Sequence, residues 1–456
     1  MPALVYRITE VLSALVLDLP IGTNLGMFHV LWTLVSGRLL QTRGALTRTG
    51  TTTGGAGVPA LAITGLDSAS VRRAWAAFAN GAWEVSSLID ALLSLVQREG
   101  RWQPEWIGNY CVVAVDTVAF FRPQLKNCLT KHFLSQAGEA LPAIPFGVVV
   151  TVGTVGRQTV PVVRQIVRAP TTAATEAELV NAVLSQAACH LASHEALVAD
   201  RGFSPQKLQV AGVARWVSRV PRNFTARRLS LPNYAGKGRP CSRGVLVRPL
   251  ARTRQSKILP ATPPDRRETH LLAGRSVQAD IWEGLCLPQP RALPSAAAHD
   301  SPSAIQCVVL HDPAYKQPWV LVTNLTLSVP ELLAFYHNRW PIEQVPLTAK
   351  QLLGTHRQFV FAEAARQRLP ELALLTSSLL MYLAATHPAV PTGFWDRAPR
   401  PTAGRLRRLL AQLDISKTAP LPRQLRKKES VTTHLPKGIL AHSRSTNPPQ
   451  PAFSGN

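Results

Sequence analysis

The stretch FYHNRWPIEQVPLTAK, residues 335–350, sets a tyrosine, an arginine, a glutamate and a lysine at intervals among apolar neighbours. Tyr336, Arg339, Glu343 and Lys350 stand at offsets 0, 3, 7 and 14. At about 100° per residue of α-helix, these offsets fall within one stripe roughly 60° wide. One carboxylate, two cations and a phenol would then face the same object along roughly 20 Å of helix. A surface helix that alternates charges for solubility would scatter them around its circumference. The stripe therefore reads as a surface that grips something.

The rest of the chain says what kind of object that is. It has 456 residues, enough for two or three domains, and 46% of them are hydrophobic, enough for a sizeable core. Lys and Arg number 50 against 26 Asp and Glu, a formal charge of +24. Such an excess points to a polyanion, either nucleic acid or an acidic membrane surface. Arg outnumbers Lys, which suits forked contacts to phosphate. Against a membrane, Glu10 and Asp18 interrupt the first apolar stretch, leaving no signal peptide evident. The longest apolar run, LALLTSSLLMYLAA (372–385), is too short to span a bilayer and reads as a buried core helix. The six cysteines show no CxxC pair and read as reduced, buried thiols of a cytoplasmic protein.

Periodicity divides the chain into five regions. Residues 1–105 read as a helical N-terminal domain. Asp67 or Ser68 caps a helix in LDSASVRRAWAAFANG, WEVSSLIDALLSLVQREG supplies the next, and TRTGTTTGGAG (47–57) is a flexible loop. Two such helices carrying Arg72 and Arg73 form either a DNA-binding helix-turn-helix or a plain helical hairpin. From 106 to 221 the period changes. YCVVAVDTVAFF, FGVVVTVGTVG and QTVPVVRQIVR read as strands, ATEAELVNAVLSQAACHLAS as a helix, and EALVADRGF and GVARWVSRVP as further strands. Three strands, a helix and then a strand is the order of a ribonuclease-H-like α/β fold. Residues 222–320 interrupt it with a basic segment rich in Pro and Gly, followed by strands in SVQADIWEGLCL, AIQCVVLHD and PWVLVTNLTL. Residues 321–395 resume the core with the opening stretch and the apolar helix. Residues 396–456 form a basic, Pro-rich tail whose last thirty or so residues have a disordered composition.

Three carboxylates occupy telling places. Asp116 lies in the first strand, Asp200 ends the fourth immediately before a Gly turn, and Glu343 lies in the late helix. In this fold the first and fourth strands are neighbours and the late helix packs across them, so the three can converge. Converging acids repel one another unless cations neutralise them. Two Mg²⁺ ions about 4 Å apart do so, clamping the attacking and leaving oxygens of a phosphodiester. Taken singly, Asp116 could merely hydrogen-bond Thr117 and Asp200 could be an ordinary turn residue.

The spacing Tyr336-x2-Arg339-x3-Glu343-x6-Lys350 resembles, without a gap, the YREK signature of DDE transposases of the insertion-sequence-4 type. Asp116 followed by Thr117 resembles their first acid, and DRGF beginning at Asp200 their second. The long interval from Asp200 to Glu343 resembles their β-rich insertion. The likeness covers roughly residues 105–390. It implies that Asp116, Asp200 and Glu343 bind two divalent metals, Mg²⁺ or in its place Mn²⁺. It also implies that Tyr336, Arg339 and Lys350 hold the DNA backbone beside the scissile phosphate. The implied activity is cleavage at the terminal inverted repeats of a bacterial insertion sequence and strand transfer into target DNA. A homodimer would act across paired ends of double-stranded DNA in the cytoplasm, associated with the nucleoid. The alternative is a catalytically inactive or domesticated derivative that only binds DNA. Some such transposases stack a flipped base on a tryptophan of the insertion; for Trp282 a core role competes with this one.

Pro341 and Pro346 depart from a regular helix. Proline costs about 3 kcal/mol in a helix interior but is favoured at the first helical position. A new helix starting at Pro341 would put Glu343 in its first turn, and a kink at Pro346 would threaten the placing of Lys350.

Overall fold

The computed structural model describes residues 2–40, 56–288, 304–413 and 421–426, apart from 127, 135, 171–174, 235, 237, 238, 240, 273, 359 and 392. The helical period of the N-terminal region produces α1 (Pro2–Val16), α2 (Thr23–Val35), α3 (Gly57–Ala62), α4 (Ser68–Asn80) and α5 (Val85–Glu99). Asp67 caps α4 by accepting the Ser70 N–H at 2.7 Å. Of the Gly/Thr stretch 47–57, only residues 56 and 57 are described, and Gly57 opens α3. The two helices read as a possible helix-turn-helix have different main partners. α4 packs on α2, where a Cβ on Gly26 would lie 2.3 Å from that of Ala77, and α5 packs on α1 and the sheet.

Runs of β-branched residues then build the sheet. The first half contains β1 (Gln103–Pro104), β2 (Trp106–Ile107), β3 (Tyr110–Phe121), β4 (Lys131–Leu134), β5 (Glu139–Val155) and β6 (Gln158–Arg168). α6 (Glu176–His190), β7 (Glu195–Ala199), α7 (Pro205–Val210) and β8 (Trp216–Val220) follow. A capping box opens α6, where Thr175 and Glu178 satisfy each other's backbone N–H groups. The interrupting segment supplies β9 (Ala226–Arg228), β10 (Leu246–Val247), β11 (Arg252–Arg254), β12 (Lys257–Leu259), β13 (Arg266–Leu272), β14 (Arg275–Cys286) and β15 (Ile305–His311). β16 (Trp319–Thr323), α8 (Val329–His337), α9 (Gln344–Leu347), α10 (Glu363–Thr386) and α11 (Ala403–Leu410) complete the described chain.

The protein is mixed α/β, and one large mixed sheet runs in the order β6, β5, β3, β7, β8, β16, β15, β14. β3, β5 and β6 are antiparallel neighbours, β3, β7 and β8 are parallel, and β8 meets β16 antiparallel. The strands of the interrupting segment thus extend the same sheet, except β11 and β12, which form a two-stranded sheet of their own. Both faces of β3 are covered. Val112, Ala114, Val118 and Phe120 belong to the core shared with α1, α2, α5 and α10, while Val113 and Val115 pack with Leu179, Val183 and Leu184 of α6. Each of these Val, Leu and Phe side chains contributes about 1.5–3 kcal/mol on burial.

Several expectations need correcting. The apolar run 372–385 is part of a longer helix, α10, which by length and composition could cross a membrane; 94% of its apolar window is buried inside the fold. The tail does not leave the fold at 396. α11 buries Leu406 and Leu410, Asn24 donates to the Gln424 carbonyl at 3.1 Å, and the Gly22 N–H donates to that of Arg426 at 3.2 Å. The final segment, 427–456, lies outside the described residues. The six cysteines are free, but only Cys111 and Cys307 are buried, whereas Cys189 and Cys241 are exposed. Trp282 takes the core role: it is 1% exposed and donates its indole N–H to the Pro263 carbonyl at 2.9 Å.

Candidate active site

The parallel register of β3 and β7 brings the first two acids together. Cys111 faces Glu195 and Ala114 faces Val198, so the same offset carried two residues further sets Asp116 level with Asp200. β7 stops at Ala199, and Asp200 opens the turn closed by the Phe203 N–H on its carbonyl at 2.9 Å. One oxygen of Asp116 accepts the Thr117 N–H at 2.8 Å, the bland interaction its sequence allowed.

The signature segment is not one straight helix. α8 starts on a capping box between Ser328 and Glu331 and ends at Asn338. A 3₁₀ turn, Trp340–Glu343, follows with Pro341 in its first turn, where a missing N–H costs nothing. α9 carries Pro346 and gives way to a π turn, Thr348–Leu352, closed by the Leu353 N–H on the Thr348 carbonyl at 3.0 Å. Proline removes one rung of the ladder, and the wider turn next to it shifts the helical phase. The continuous 60° stripe is therefore replaced by four short segments.

The polar side chains nevertheless meet. Tyr336 donates its hydroxyl to Asp200 at 3.2 Å. The Arg339 guanidinium is 2.7 Å from Glu343 and 3.8 Å from both Asp200 and Asp116. Lys350 sets its ammonium 5.5 Å over the Phe120 ring, close enough for Asp116 to favour its charge. Arg339 is only 5% exposed, and its Nε is buried without a hydrogen-bond partner. Its three acids are open to solvent by 31% at Asp116, 38% at Asp200 and 48% at Glu343. The carboxylates are thus wetter than the guanidinium they surround.

Burial pushes Asp116 up to about 6, against the pull of Arg339 and the Thr117 N–H; Glu343 and Asp200 push it further. Burial also lifts the Tyr336 hydroxyl, helped by Asp200. For Arg339, burial opposes the charged form, but Asp200 and Glu343 outweigh it and raise its pKa. Lys350 moves down through burial, with Asp116 resisting. At Asp116, burial thus outweighs the charge of Arg339.

Arg219 of β8 is a member that sequence reading missed. Its charge favours ionisation of the Tyr336 hydroxyl, and it lies 4.9 Å over the Trp319 ring, which meets the Tyr336 ring edge-on at 5.5 Å. The available signal was an arginine inside the apolar strand WVSRV. Arg72 and Arg73 lie apart from this cluster, exposed on α4, with Arg73 donating to Ser70 at 2.8 Å.

All-oxygen donors of this kind suit Mg²⁺ or Mn²⁺, and Asp116, Asp200 and Glu343 are the residues that could hold such ions. Among the described residues, no three His, Cys, Asp or Glu side chains come within reach of a single ion; each of these carboxylates instead reaches Arg339. No model of a known protein family matches this chain, and no curated protein is significantly similar to it.

Proposed function

We propose that this protein is a DNA transposase similar to the insertion-sequence-4 type, built on a ribonuclease-H-like core. The observation that carries the reading is the meeting of Asp116, Asp200 and Glu343, acids far apart in sequence, around the buried Arg339. The order β6, β5, β3, β7, β8, with the last three parallel, supports the ribonuclease-H-like assignment. The formal charge of +24 supports double-stranded DNA as the partner.

In this reading Asp116, Asp200 and Glu343 would hold two Mg²⁺ ions, which when bound would activate water and stabilise the leaving oxygen of a phosphodiester. Arg339, Lys350 and Tyr336 orient the DNA backbone by charge and by a phenolic hydrogen bond. Asp116 lies in β3 and Asp200 directly follows β7, its parallel neighbour, which holds their spacing, while Glu343 comes from a 3₁₀ turn. Two copies acting on paired ends complete the proposal.

The test uses duplexes carrying the inverted repeats that flank the gene. Asp116→Asn, Asp200→Asn and Glu343→Gln should each abolish Mg²⁺-dependent cleavage while retaining binding in a gel shift with Ca²⁺. Full cleavage by any one variant removes that residue from the site. Binding without cleavage by the unaltered protein favours the inactive, DNA-binding alternative.

A further inference from the structure

Arg339 is the feature that the proposed chemistry does not yet explain. As a phosphate contact it should reach outward with a mobile, hydrated head group. Instead it is 95% buried, and its two terminal nitrogens face the three acids that would hold metal. The short contact is to Glu343, at 2.7 Å, and Glu343 is the most exposed of the three. Glu343 also lies on the least regular support, at the junction of the 3₁₀ turn and α9. Asp200 is tied on its other oxygen to Tyr336, and Asp116 on its other oxygen to the Thr117 N–H.

Resting on the transposase reading, we propose that Arg339 is a built-in counter-ion for the acids, displaced jointly by divalent metal and by a DNA phosphate. Without metal, three converging carboxylates need positive charge, and the guanidinium supplies it from below. An ion that draws both oxygens of Glu343 breaks the 2.7 Å contact to Oε1, leaving the guanidinium buried without its nearest anion. A phosphate oxygen is an anion of matching geometry that can take the vacated fork. Metal and DNA therefore assist each other's binding, and the coupling is reciprocal because both draw on the same ion pair. Metal binding in the free protein is weak by design, which limits cleavage to DNA already seated.

Mn²⁺ is the probe, with free ion counted by electron paramagnetic resonance and the Mn²⁺ held by the same duplex alone subtracted. Arg339→Gln should bind Mn²⁺ about tenfold more tightly than the unaltered protein in the absence of DNA. Adding the inverted-repeat duplex should tighten Mn²⁺ binding about tenfold in the unaltered protein and little in the variant. Equal Mn²⁺ affinity of the two free proteins overturns the counter-ion role and leaves the metal site standing. If Arg339→Gln does not fold, the duplex effect on the unaltered protein decides alone: no tightening sinks the coupling. Absence of Mn²⁺ binding by either protein, with or without DNA, defeats the metal-site reading itself.

Discussion

Removing Arg168 should expose how much of the fold rests on one ion pair. Its guanidinium, on β6, makes two hydrogen bonds to Glu371 of α10, at 2.5 and 2.6 Å, and the Glu371 side chain is 2% exposed. Arg168→Ala strands that carboxylate in the core. Breaking a buried pair from one side costs about 3–5 kcal/mol. Arg168 itself is 46% exposed, so water reaches the vacancy, and the Arg368 charge also favours ionised Glu371. The expected loss is therefore at the lower end, about 3 kcal/mol. The sign with pH follows from Glu371, whose pKa burial raises despite Arg168. A carboxyl with a folded-state pKa above its unfolded value favours folding at low pH, and loses that contribution as pH rises through the folded value. Deleting Arg168 raises the folded value further, so the deficit should be largest at pH 8 and shrink toward pH 5. Guanidinium unfolding at both pH values measures it. The double variant Arg168→Met, Glu371→Leu should recover to within about 1 kcal/mol of the original. A single-variant loss below about 1 kcal/mol, or a deficit independent of pH, refutes the reasoning.

Lys350→Met keeps the apolar stem over Phe120 and removes the charge near Asp116; cleavage should fall at least tenfold, equivalent to about 1.4 kcal/mol. A rate within twofold of the original would confine Lys350 to a structural role. Gly147→Ala should destabilise the fold by about 1–3 kcal/mol in thermal unfolding, because the new Cβ would fall 1.8 Å from a methyl of Val183 on α6. An unchanged midpoint would mean that β5 and α6 separate without cost. Trp282→Phe should lose about 1 kcal/mol of stability with its bond to Pro263 while leaving affinity for DNA unchanged, read by unfolding and gel shift. Lost DNA affinity in a folded variant would return Trp282 to the binding surface.

Local chemistry made much of this protein legible from its residues. β-Branched runs became β3, β5 and β6, Asp67 capped α4, and Thr175 with Glu178 opened α6. These choices depend on neighbours a few residues away, as did the break at Pro341. Tertiary structure alone decided what the pieces touch. Asp116 lies level with Asp200 only because β3 and β7 pair in one particular parallel register. Arg339, read as a contact pointing outward, lies buried because α8 and the turn after it set the guanidinium against an acid of β3 and an acid just beyond β7. The π turn lets Lys350 reach Phe120 despite Pro346, and residues 421–426 return to α2 although their composition resembles a loose tail. Helical periodicity measures direction along one regular axis, and composition measures average solubility. Neither contains the long-range packing that sets the burial of a charge, so local residues foretold many of the elements, whereas packing set which charges meet.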